Sequence, residues 1–136
     1  MRTPAPPDEE NRIHATFTLA PDDRAPAGAR ERVARELRGW GLARLADDAL
    51  TVVSELVTNA VRYGAAHITV NVEWHRTREA VEIAVWDDAP GTPQRREPDF
   101  VSETGRGLHI VERLSTGWGH RPGTGGVGKT VWAELR

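Results

Sequence analysis

From Arg12 to Leu19 apolar residues alternate with polar ones, Ile13, Ala15, Phe17 and Leu19 against their neighbours, which is the period of a half-buried strand. Residues 21–23, Pro-Asp-Asp, break that run, and the period then changes to helical. Between Pro26 and Trp40 the positions Ala29, Val33, Leu37 and Trp40 recur at helical spacing, with Gly39 and Gly41 as stop signals. A second helix is predicted from near Leu42 to Tyr63, with Leu45, Ala49, Val52, Leu56 and Ala60 as its buried stripe and Gly64 just past its end. Alternation returns in residues 67–74 and 80–86, which predicts two antiparallel strands around a short charged turn. Residues 87–93 end the second strand sharply, and the polar stretch to Thr104 has no period and reads as a loop. Leu108, Val111 and Leu114 mark a short helix after Gly107, and residues 115–121 and 127–135 close the chain as strands. Helices early and strands late predict an α+β fold, a mixed, mostly antiparallel sheet covered on one face by helices.

Composition narrows the function classes. A length of 136 residues predicts one domain able to bury a proper core, preceded by a loosely held arm at residues 1–10, where prolines and acidic residues offer little to bury. The net charge of -2 and the lack of a basic tract leave no electrostatic footprint for direct nucleic-acid binding. Cysteine is absent, which excludes disulfides, thiolate metal sites and cysteine nucleophiles. No apolar run is long enough to cross a bilayer and the start lacks the hydrophobic segment of a secretion signal, so the expected location is cytoplasmic. The five histidines are scattered without metal-ligand spacing, and the five tryptophans, at element ends or on alternating strands, are expected in the core.

Candidate chemistry begins on the second helix. Glu55 and Asn59 stand four residues apart and so share one face, with Arg62 one turn further along the same edge. An amide oxygen beside a carboxylate and a guanidinium could hold a metal and an anionic ligand together, while the plain alternative is a solvated polar edge. Asp87 offers a carboxylate where the second of the alternating strands ends; it would accept from an exocyclic amine or simply cap a turn. Gly105-Arg106-Gly107 precedes the Leu108 helix, whose free amides would face phosphate oxygens. Residues 123–130, Gly-Thr-Gly-Gly-Val-Gly-Lys-Thr, spell the phosphate-binding P-loop letter for letter. A P-loop needs a helix to follow it, and only residues 131–136 remain, alternating like a strand; a glycine-rich hairpin turn is the expected structure.

Taken in order, Glu-x-x-x-Asn on a helix, Asp-x-x-x-Gly after a strand, Gly-x-Gly-Leu opening a helix and a terminal Gly-Lys-Thr strand, the sequence resembles the GHKL (histidine-kinase-like) ATPase/kinase superfamily from about Phe17 onward. Within it the chain is most similar to bacterial anti-sigma-factor serine/threonine kinases and single-domain ATP-binding regulators. The resemblance implies a Bergerat-type two-layer α/β sandwich with ATP and Mg²⁺ bound between the helical layer and a lid loop at about residues 92–104. It implies Asn59 as the Mg²⁺ ligand, Glu55 as the general base, Arg62 near the phosphates and Tyr63 along the adenine. Asp87 would accept from the adenine amino group beside a close turn at Gly91, Gly105, Arg106, Gly107 and Leu108 would border the phosphates, and Thr130 would stand near the aspartate. The family usually has glycine where Ala89 stands, which is the one departure.

The function so implied is ATP-dependent phosphorylation of a serine on an anti-anti-sigma-type protein, together with sequestration of a sigma factor; a homodimer is compatible with the same resemblance. A catalytically weak module, in which ATP orders the lid and gates attachment to a regulatory protein, is the second expectation. A third, an interaction domain without nucleotide, requires the ordered motifs to be coincidental.

Overall fold

The computed structural model describes residues 11–90 and 103–136, with side chains described from Leu108 onward in the second part. Strand β1 (Arg12–Leu19) leads into helix α1 (Ala25–Gly39), a 3-10 turn (Ala43–Leu45) and helix α2 (Ala46–Arg62). Strands β2 (Ile68–His75) and β3 (Ala80–Asp87), helix α3 (Glu103–Leu114), and strands β4 (Gly117–Pro122) and β5 (Lys129–Leu135) complete the order. The strands form one five-stranded sheet in the order β1-β2-β3-β5-β4. Each neighbouring pair is antiparallel, so the expected α+β sandwich forms without a parallel pair among the described strands. β3 and β4 therefore run the same way, with α3 joining them in sequence and β5 returning between them.

Local chemistry accounts for the helices. In α1, Ala25, Ala29, Val33 and Leu37 are buried at four-residue spacing, and Pro26 sits in the first turn, where a missing N–H breaks no helical bond. In α2, Ala49, Val52, Val53, Leu56, Val57 and Ala60 are buried, with Asp47 and Asp48 in the first turn and Arg62 in the last, the charge order that the helix dipole favours. The polypeptide leaves α2 through Gly64, whose φ of +84° is the left-handed conformation. Gly64 N–H donates to the Val61 carbonyl (3.1 Å) and Ala65 N–H to the Ala60 carbonyl (3.1 Å), the paired closure that satisfies two orphan carbonyls at a helix end.

Strand alternation assigns every sheet residue to one of two faces. Phe17, Ile68, Val70, Val72, Val81, Ile83, Val85, Val131, Ala133 and Leu135 face the helices and, with the helical residues above and with Leu108 and Val111 of α3, form one core. Each fully buried valine or leucine contributes about 1.5–3 kcal/mol. The opposite face carries rows such as Thr18-Thr69-Trp86-Thr130-Arg121, read across the strand register. Three tryptophans follow the expectation of core packing: Trp40 and Trp74 stack with centroids 6.4 Å apart, and Trp118 joins them against the core. Trp86 and Trp132 depart from it, because their strand parity places them on the outer face, Trp86 donating through Nε1 to the Val127 carbonyl (3.0 Å).

Residues 123–128 form the hairpin predicted for the P-loop-like segment. Gly123 N–H donates to the Gly128 carbonyl (3.0 Å) and Pro122 pairs with Lys129 across it. A strand follows where a phosphate-binding loop requires a helix.

Candidate functional site

Burial of the α2 stripe leaves Glu55 and Asn59 half-buried along the adjacent edge of that helix, with Arg62 and Tyr63 exposed at its end. Beside Glu55, Ser54 Oγ accepts from Arg30 Nη1 at 2.7 Å, which ties α1 to α2. The second wall stands at the end of β3. Asp87 is only 3% exposed, the one buried charged side chain among the described residues, and its strand parity turns it toward the helices like Val85 and Ile83. Its Oδ1 accepts from Ala89 N–H (2.8 Å) and from Lys129 Nζ (2.8 Å). Lys129 Nζ also donates to the Ala89 carbonyl at 3.1 Å. The pairing follows from register, since Asp87 and Lys129 are partners across β3 and β5.

The next residue, Asp88, faces elsewhere and does a different job. Its Oδ1 accepts from the amides of Ala66 (2.8 Å) and His67 (2.9 Å), and its Oδ2 lies 2.7 Å from His67 Nδ1. The His67 ring bond above all, with the His67 and Ala66 amides, holds the Asp88 carboxyl down at about 2, against an opposing push from desolvation. Asp88 thus staples the end of β3 to the segment leaving α2. Because that segment follows directly from Asn59, Arg62 and Tyr63, the staple and the shared core hold the α2 edge and the Asp87 turn in one frame.

Thr130 and the segment 105–107 lie elsewhere than expected. Thr130 occupies the outer face of the sheet, where with Thr69, Trp86, Arg121, Pro122, Thr124 and Val127 it lines a cleft of about 380 Å³. Adjacent residues of a strand face opposite sides, so it is Lys129, and not Thr130, that meets Asp87. Leu108 is 3% exposed and belongs to the core, which follows from its packing with Val111. Gly105, Arg106 and Gly107 lie inside α3, which begins at Glu103, rather than ahead of it. Burying Leu108 and Val111 outweighs the roughly 1 kcal/mol that each glycine costs in a helix. Gly91, the arm at 1–10 and the lid loop at 92–104, apart from residues 103 and 104 in α3, lie outside the described residues.

Sequence reasoning missed Lys129 and Asp88. The strand alternation gave the face of Lys129, opposite to that of Thr130, and only the register pairs it with Asp87; the signal for Asp88 was the second acidic residue at a strand end, where backbone amides need acceptors. Ala89 is buried (5% exposed), and both its backbone polar groups serve the Asp87–Lys129 pair.

Helices over one face of an antiparallel sheet, with the buried Asp87 carboxylate at the end of a central strand, define a two-layer sandwich. Residues 17–134 match the histidine kinase-like ATPase domain, and the chain belongs to that family. Over 56 residues it is 32% identical to the sensor protein KdpD of Escherichia coli (strain K12), a stretch that covers 41% of this chain and 6% of KdpD. The crystal structure of the RsbU and RsbW domains of Rv1364c from Mycobacterium tuberculosis shares the fold, with a TM-score of 0.65 at 22% identity over 99% of this chain and 33% of that one. The chain thus spans about a third of that structure and a small part of KdpD. Among the described residues no helix is long and apolar enough to cross a membrane.

Proposed function

We propose that the chain binds Mg-ATP and acts as a serine/threonine protein kinase on an anti-anti-sigma-type protein, holding a sigma factor through a second surface. The observation that carries the nucleotide reading is the buried Asp87 carboxylate, fixed by Ala89 and Lys129 in the same frame as the Glu55–Asn59 edge. Membership of the ATPase domain family supports it, and the RsbW domain in the structural relative supports the choice of regulatory partner.

The donor set fits a magnesium ion brought by its nucleotide. Among the described residues no group of three or more His, Asp or Glu could hold a metal alone, whereas Mg²⁺ commonly takes one or two protein oxygens and completes its shell with phosphate and water. When bound, Mg-ATP supplies the γ-phosphoryl group and the charge neutralisation that phosphoryl transfer needs. In this reading the Asn59 amide oxygen is the protein ligand, and Arg62 and the amides near Gly105–Gly107 border the phosphates. Tyr63 and Gly91 flank the base, and Asp87 orients it through its exocyclic amine. Glu55, half-buried one turn before Asn59, accepts the proton of the attacking serine hydroxyl.

Incubating the protein with labelled ATP, Mg²⁺ and candidate anti-anti-sigma-type proteins tests this. Transfer to a serine of one of them, lost in Glu55→Ala while ATP binding persists, is the expected result. Equal transfer by Glu55→Ala refutes the role of the base, and binding without transfer leaves a module that uses ATP to gate attachment.

A further inference from the structure

The segment that spells a P-loop without folding as one has a purpose in this structure. A Cβ at Gly128 would lie 2.3 Å from the Asp87 carbonyl oxygen and 2.8 Å from the Trp86 ring, so the hairpin presses directly on the backbone of Asp87. The following residue, Lys129, then delivers its ammonium to the Asp87 carboxylate and the Ala89 carbonyl. An ammonium has three donors, so among the described residues these bonds leave one for a ligand, and the two bonds to Asp87 Oδ1 leave Oδ2 as an acceptor.

A carboxylate alone at this place selects an exocyclic amine and repels an exocyclic carbonyl. An ammonium 2.8 Å from it changes that rule. A 6-oxopurine presents a carbonyl acceptor at position 6 beside an N–H donor at position 1, which match the third donor of Lys129 and Oδ2 of Asp87. Adenine presents an amine donor at position 6, which Oδ2 of Asp87 accepts without a donor from Lys129, so only the 6-oxo group depends on the ammonium. We infer that Lys129 is a specificity-determining residue whose pairing with Asp87 lets the site accept 6-oxopurine nucleotides as well as adenine nucleotides. The inference rests on the proposed reading of Asp87 as the base acceptor. It also gives the only lysine of the chain a role at the base, where a true P-loop lysine would serve phosphates.

Competition binding of Mg-ATP and Mg-ITP to the full chain, repeated on Lys129→Met, tests it. ITP isolates the change at positions 1 and 6, because it lacks the 2-amino group of GTP. The expected result is binding of ITP within about tenfold of ATP by the unmodified chain. Lys129→Met is expected to weaken ITP relative to ATP by about tenfold to a hundredfold, the value of one hydrogen bond to a charged group. A preference for ATP of more than about a hundredfold in the unmodified chain overturns the inference and leaves the nucleotide site standing. An unchanged ratio in folded Lys129→Met does the same. Binding of neither triphosphate overturns the site reading as well, and the ratio in the unmodified chain decides even where the variant fails to fold.

Discussion

Lys129→Met should destabilise this protein far more than the loss of an ordinary surface ion pair. The magnitude follows from burial: the Lys129 and Asp87 side chains are 13% and 4% exposed. Exposed pairs contribute about 0–1 kcal/mol, whereas removing one partner of a buried pair costs about 3–5 kcal/mol, because the remaining charge has lost both water and counterion. Ala89 N–H still donates to Asp87 Oδ1 in the variant, which points to the lower end, about 3 kcal/mol. For a domain between the usual size classes that corresponds to a fall in Tm of roughly 10 °C. Asp87→Asn should also destabilise, since it strands the ammonium, while the double variant Asp87→Asn/Lys129→Met removes both charges and should cost only about 1 kcal/mol. Urea unfolding monitored by tryptophan fluorescence and circular dichroism supplies the free energies, given coincident transitions. A Lys129→Met variant within about 1 kcal/mol of the unmodified chain, or strictly additive losses in the double variant, would refute the reasoning.

Gly128→Ala should cost more than the roughly 1–2 kcal/mol of a left-handed non-glycine residue, because its Cβ meets the Asp87 carbonyl oxygen and not a side chain that can rotate away; thermal melting measures this. Asp88, lowered from 3.8 to about 2 in the folded protein, contributes stability that is fully present above about pH 4 and is lost as pH falls through about 2. Acid titration followed by NMR should show the carboxyl shift in that window, and Asp88→Asn should remove its share of the acid dependence. Calorimetry with Mg-ATP should separate the α2 residues: Asn59→Ala weakens binding at least about tenfold, whereas Glu55→Ala binds nearly as well and loses transfer.

The helices and strands were legible from the alternation of period along the chain. Alternation over Arg12–Leu19 and the helical recurrence of Ala29, Val33 and Leu37 each report a single buried face, and burial of that face is what holds the element. The second helix was legible down to its closure at Gly64, because a left-handed residue there leaves a direct mark in sequence. Its start was less so: a 3-10 turn at Ala43–Leu45 interrupts what the apolar spacing presents as continuous. Trp86 and Trp132 were misplaced because size and hydrophobicity do not say which face of a strand a residue takes. The same parity governs the site. Asp87 was legible as a strand-end carboxylate, but its partner depends on pairing between segments 42 residues apart, which fixed Lys129 against it and turned Thr130 away. Asp88 was hard to assign for a related reason, since two of its bonds go to backbone amides that have no letter in the sequence and the third, to the His67 ring, depends on the same long-range pairing.

On the proposed function, the α2 edge and the Asp87 turn form two walls of one nucleotide site. Titrating the ¹⁵N-labelled protein with Mg-ATP, and then with Mn-ATP, tests it most directly. The expected result is shifts in the amides of residues 55–66, 87–89, 105–107 and 129, with paramagnetic broadening by Mn²⁺ centred on the Asn59 side-chain amide. Saturating nucleotide that leaves both walls unshifted, or broadening centred away from Asn59, would contradict it.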